Sequence, residues 1–176
     1  MRSLELYCTS PLANMRGEKA KSDRARSTVV VKLPTGSVTA FTDTLGSTDH
    51  RVPRWLSEGL SVWEEHHART GWGASMSPAF LDAYRQGKLV PVSRMNDGFT
   101  RPTYPEQVGH SYYQASLVCD LIVKQWGEQA LVALLAEHRA GRTTDEAFLK
   151  VTGLSMAAFD KRFDEYMREQ IGRAHV

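Results

Sequence analysis

Cysteine is almost absent from this chain of 176 residues: only Cys8 and Cys119 occur. Two thiols so far apart make neither a zinc-finger pattern nor a disulfide scaffold, so both are expected to be unpaired. Long hydrophobic runs are missing as well. No stretch approaches the roughly 18 apolar residues of a membrane span. Arg2, Glu5, Asn14, Arg16 and Glu18 interrupt the first turns of the chain, so no secretory leader is expected there. Charge of one sign is not in excess either: 22 Lys and Arg face 20 Asp and Glu, a formal net charge of +2. That balance argues against a nucleic-acid or anionic-membrane partner, each of which calls for a concentrated basic surplus. A compact helical DNA-binding domain is disfavoured on the same ground. There is no glycine-rich phosphate loop, no G-x-S-x-G, no C-x-x-C and no internal repeat.

What is present reads as soluble and globular, with 41% apolar and 24% charged residues. A chain of this length removes about 70% of its unfolded surface from water on folding, enough for a real core. Its organisation is uneven. Residues 1–47 mix Met, Arg, Ser, Lys and Glu without a sustained period, and are expected to be poorly organised or foreign. Arg16, Lys19, Lys21, Arg24 and Arg26 form a basic stretch broken by Glu18 and Asp23, which reads as a solvated loop or frayed end. Within this segment Thr28–Leu33 has the β-branched composition of a strand stopped by Pro34, and Ser37–Leu45 is a weaker second strand. Residues 48–169 carry a helical pattern. Residues 170–176 read QIGRAHV; the last six match what a widely used sequencing adapter encodes in one frame, so they are expected to be an artefactual tail.

Five or six helices are predicted in the central region, making the class mainly α with one or two short N-terminal strands. From Pro53 to His67, Trp55, Leu56, Gly59, Leu60, Val62 and Trp63 share one face at about 100° per residue. Glu58 sits at the edge of that face, where a partly shielded carboxylate must be paired, protonated or bound to a cation; the plain structural partner is Arg54 four residues earlier. Ser77 caps a helix over Pro78–Gln86 that Gly87 closes. A Pro- and Gly-containing loop follows, of a length that suggests packing over something. Ser111–Trp126 is apolar on nearly every side, hence central. Glu128–Arg139 is amphipathic, Thr143-x-x-Glu146 is a capping box for Thr144–Val151, and Ser155 caps a last helix with Phe159, Phe163, Tyr166 and Met167 on one buried face.

The informative segment is Arg51–Glu65, RVPRWLSEGLSVWEE. With the ordered series that follows it (Trp72-Gly73, Gly87-Lys88-Leu89, Gly98–Pro102, Ser111–Leu117 and Thr143–Phe148), it resembles the peptidase MA-like family, gluzincins often found beside tetratricopeptide repeats in bacterial proteins. The resemblance runs from about Thr48 to Arg168 and implies the C-terminal half of a zincin-like catalytic domain. In that family a helix bearing H-E-x-x-H supplies two imidazoles and a general base, and a glutamate in a W-L-x-E-G context completes a zinc site. The resemblance places Glu58 as that third, metal-ligand position. It implies peptide or protein substrates, hydrolysis by metal-activated water, tetratricopeptide repeats elsewhere in the full-length protein, and export of full-length relatives.

The chain departs from the family where it matters most. No H-E-x-x-H occurs, and by spacing it should fall at Ser37–Phe41, which reads SVTAF. Serine, valine and phenylalanine stand where two ligands and the proton acceptor belong, so no catalytic residue is assigned and zinc is not expected to bind. The other histidines offer poor substitutes. His66 and His67 are adjacent, about 100° apart on a helix rather than one turn apart. His110 is expected before the third helix, His138 in a charged helix tail, His50 alone near the missing motif, and His175 in the tail. Tyr112 and Tyr113 are expected in the core, although in an intact relative they could polarise a carbonyl. The expectation is therefore a degenerate or truncated metallopeptidase relative without activity. The alternative is a non-enzymatic helical module that holds a peptide in an aromatic groove near Trp55, Trp63 and Tyr113.

Overall fold

In the computed structural model, residues 51–68 and 75–174 are described, together with the backbone of two three-residue strands. The helices in order are α1 (Arg54–Ala68), α2 (Pro78–Arg85), α3 (Asn96–Thr100), α4 (Gln107–Trp126), α5 (Glu128–Arg139), α6 (Thr144–Thr152) and α7 (Met156–Ala174), with a single 3-10 turn at Val92–Arg94. The mainly helical class is as expected.

The expected N-terminal strands are not supported in that form. Among the described residues, regular strand pairing is confined to Val30–Lys32 against Val38–Ala40, antiparallel, with Val31 opposite Thr39. Three-residue partners without a third strand or a described apolar face are too short to stand as an independent β element. The flanking parts of Thr28–Leu33 and Ser37–Leu45 lie outside the described residues, as do Cys8, the basic stretch, Ser37, Phe41, His50, Trp72-Gly73 and His175.

α4 is the axis of the helical body. Ala115, Val118, Cys119, Leu121 and Ile122 on it are all at most 1% exposed, and α1 packs along it more extensively than any other pair of elements. Two glycines explain how closely the chain approaches this helix. A Cβ on Gly59 of α1 would lie 2.7 Å from the Ala115 carbonyl oxygen, and one on Gly98 of α3 would lie 2.1 Å from Ser111 Oγ. No real side-chain carbon fits at either distance. The glycines in W-L-S-E-G and G-F-T-R-P are therefore packing residues that let α1 and α3 lie against α4.

The local stop and start signals act as read. Ser77 Oγ accepts the Phe80 N–H, and Thr143 and Glu146 form the full reciprocal capping box. Gly127, with φ at 79°, separates α4 from α5, and Gly153, with φ at 74°, ends α6 in the left-handed region. Phe159, Phe163, Tyr166 and Met167 are buried together as their spacing required.

Two features differ from expectation. The loop after Gly87 contains α3 and the 3-10 turn, with Val92, Met95 and Phe99 in the core. N-D-G-F-T has weak helix propensity, and burial of Gly98 and Phe99 is what holds it. α4 also begins at Gln107, four residues before Ser111, because Gln107 and Ser111 themselves are buried. No helix among the described residues is long and apolar enough to cross a membrane.

Candidate functional site

Glu58 lies on the second turn of α1, beside Trp55 and Val62, and its side chain keeps 31% of its exposure. Its carboxylate accepts from Arg54 Nε at 3.3 Å, one helical turn back. Of the three fates open to an edge carboxylate, pairing is the one observed. Arg54 is itself well held. Its guanidinium carbon lies 5.6 Å from the centre of the Phe99 ring, and Phe99 meets Tyr112 edge-on with centroids 5.1 Å apart. Tyr112 foremost, then the Glu58 charge, outweigh partial burial and hold Arg54 above its ordinary pKa. The cation next to Glu58 is therefore a permanent one supplied by the protein.

The start of α1 is tied down by Asn96, whose Oδ1 accepts the Trp55 backbone N–H at 3.1 Å. This satisfies a donor that a helix start otherwise leaves open, and it is supplied from another element, not from the preceding residue. Sequence reading missed Asn96 because an ordinary cap is sought just before the helix.

At the other end of the same helix, Glu64 is half-buried. Burial, with repulsion from Glu128 added and attraction to His67 opposing it, pushes its carboxyl up to about 7. Nearby, Asp120 is held below the usual carboxylate range: burial opposes its charge, but Lys124 and Tyr166 outweigh it. Cys119, between these carboxylates on α4, is fully buried, and desolvation suppresses its thiolate.

Among the described residues, the histidines do not join Glu58 in a metal-binding group. His67 Nδ1 lies 2.7 Å from the Trp63 carbonyl oxygen, and His66 meets the edge of Tyr113 at 6.3 Å. His110, expected outside the third helix, is in the first turn of α4, where Nδ1 lies 3.1 Å from the Tyr104 hydroxyl. His138 is in the charged last turn of α5, as expected, and is 1% exposed, with Nε2 unpartnered and desolvation lowering its pKa. Its turn of α5 faces the core because Leu131, Leu134, Leu135 and His138 follow one stripe. Among the described residues, no group of three or more His, Cys, Asp or Glu side chains is placed to hold a metal ion. A zinc site of two imidazoles and a carboxylate does not fit this donor set: Glu58 is one oxygen donor, already shared with a guanidinium.

Tyr113 is 8% exposed and packs edge-on to Phe80 at 4.8 Å, a core residue as expected. Trp55 and Trp63 are 2% and 5% exposed. Trp55 also lies against Phe148 of α6, ring centroids 6.0 Å apart.

A family model described as Peptidase MA superfamily matches residues 14–169. No curated protein and no solved structure matches the chain.

Proposed function

This chain belongs to the peptidase MA superfamily, and from that membership we propose that it is a member in which peptide-bond hydrolysis has been lost. In this reading it keeps the substrate-side helices and one inherited ligand position, Glu58. It lacks the two imidazoles and the general base that metal-assisted hydrolysis requires. The superfamily's zinc would, when bound, supply activated water; a single carboxylate cannot hold it firmly enough to do so.

The observation that carries the reading is the pairing of Glu58 with Arg54 at 3.3 Å in a chain that contains no H-E-x-x-H. A liganding carboxylate must offer its lone pairs to the metal; here a residue one turn away takes one of them. The alternative, a non-enzymatic helical module that holds a peptide near Trp55, Trp63 and Tyr113, has to accommodate the burial of all three side chains. For active relatives we extend the proposal to peptide or protein substrates. Repeats flanking the domain and export of the full-length protein belong to the same proposal, on the resemblance alone.

The test is metal analysis of purified protein combined with hydrolysis of a mixed peptide library, with and without chelator. We expect substoichiometric zinc and no chelator-sensitive cleavage. About one zinc per chain, lost in Glu58→Ala, together with cleavage that returns on remetallation, overturns the reading.

A further inference from the structure

We propose that the chain carries a binding site for a small oxyanion on the side of α3 and the start of α4, built from Lys88, Arg101, Thr103 and Gln107. The inference is independent of how the Glu58 position is read.

These residues line a cavity of about 290 Å³ together with Val90, Arg94 and Asp97. Its charge balance is uneven in a specific way. Asp97 is already committed, because its Oδ2 accepts from Arg94 Nε at 3.0 Å and Nη2 at 2.9 Å. That pair cancels. Lys88 and Arg101 have no ion-pair partner among the described residues, and Lys88 Nζ lies 6.0 Å from the centre of the Tyr104 ring. Glu106 is the other carboxylate in this neighbourhood; its charge is felt at Tyr104, and it forms no ion pair with either cation. Two net positive charges therefore face one concave site.

Gln107 decides what kind of ligand fits. It is 3% exposed, so its amide was taken out of bulk water to be placed here. Its Oε1 is used up by the backbone N–H and the hydroxyl of Thr103. The amide nitrogen has no protein acceptor among the described residues, and the residue lines the cavity. This N–H is not itself fully buried, so it keeps access to solvent and is free to donate to an acceptor bound in the cavity. α4 also starts here without a side-chain cap, which leaves the positive end of a 20-residue helix beside the same cavity. A guanidinium, an ammonium and an amide N–H are all donors. The complementary group is acceptor-only and negatively charged, which is a carboxylate or a phosphate. The cavity is small, which suits the charged group of a small molecule.

The probes are succinate and inorganic phosphate, each titrated into ¹⁵N-labelled full chain at low ionic strength, with amide shifts followed. We expect saturable shifts from at least one probe, centred on residues 101–107, and the probe that saturates identifies the oxyanion. The double variant Lys88→Gln/Arg101→Gln should weaken that binding tenfold or more, and Gln107→Glu, which places a carboxylate where the oxyanion would sit, should abolish it. Circular dichroism melts check that each variant is folded, and Arg139→Gln, an exposed cation elsewhere, should bind as the parent does. Absence of saturable shifts with both probes overturns the site. So does binding that survives the double variant in folded protein, or that falls equally in Arg139→Gln.

Discussion

The two ends of α1 carry carboxylates in opposite circumstances. At its start, Glu58 stands in a region where polar groups are answered: Arg54 pairs it, Asn96 takes the Trp55 N–H, and Gly59 brings the backbone against Ala115. At its end, Glu64 is half-buried near a second carboxylate. One helix thus presents a glutamate with a fixed counter-charge and another that burial drives toward its neutral form. The residue type is the same, and the neighbours decide the charge. The position proposed as an inherited ligand is the ion-paired one; the carboxyl pushed up to about 7 is six residues further along the helix.

The strongest way to break the ordered end is Gly59→Ala. The new methyl would meet the Ala115 backbone carbonyl at 2.7 Å, and main chain cannot step aside as a flexible side chain can. Overpacking of this kind costs about 3 kcal/mol, read as a lower midpoint in chemical denaturation with an unchanged slope. Gly109, in the first turn of α4, has open space around its Cβ position. Alanine there should stabilise the chain by about 0.5 kcal/mol, since it only removes backbone freedom from the unfolded state. If both substitutions behave alike, the close approach of α1 to α4 is not what Gly59 serves.

The other end is tested by pH. Because the folded-state pKa of Glu64 is raised to about 7, the folded protein holds this proton more tightly than the unfolded chain does. Its contribution is fully present below the ordinary carboxylate range and is lost as pH rises through about 7. Glu64→Gln keeps the shape and removes the titration. The variant should match the parent near pH 4 and exceed it by about 1 kcal/mol near pH 8, a figure reduced from the full linkage value because the group is partly solvated. A stability difference that does not change with pH would mean that Glu64 is solvated like any surface glutamate.

How much of this was legible beforehand follows from the range of the forces involved. Caps and stripes are local. Ser77, the Thr143–Glu146 box, and the faces of α1 and α7 were readable because each depends on residues within two turns. α3 was not readable, because N-D-G-F-T gains its helix from Ser111 and the core, not from its own propensity. His138 was read only as part of a charged tail, since Glu137 and Arg139 flank it; the stripe of Leu131, Leu134 and Leu135 was the available signal that it turns inward. The pairing of Glu58 with Arg54 was legible through its i,i+4 spacing. The raised pKa of Glu64 depends on burial against α4 and on Glu128 of α5, a tertiary arrangement with no trace in the spacing of α1. The Gln107 amide escaped notice for the same reason: a glutamine's meaning depends on what its two ends face.

The smallest predicted effect sharpens the comparison most. Glu58→Gln removes the charge that pairs with Arg54, at the position proposed above as an inherited metal ligand. The pair is substantially exposed, with 51% and 31% of the two side chains accessible, so solvent screens it and the loss should be only about 0.3 kcal/mol. Arg54 does not depend on it alone, because Phe99 and Tyr112 remain around the guanidinium. A carboxylate that held a catalytic ion in a folded site would behave differently: its removal would take the metal's contribution to stability with it. Melting curves of the parent and Glu58→Gln, each with added zinc and with chelator, separate the two cases. Four nearly superimposed curves are expected. A parent that zinc stabilises and a Glu58→Gln variant that zinc leaves unchanged would show that the start of α1 is a metal site after all, and that Arg54 yields to the ion.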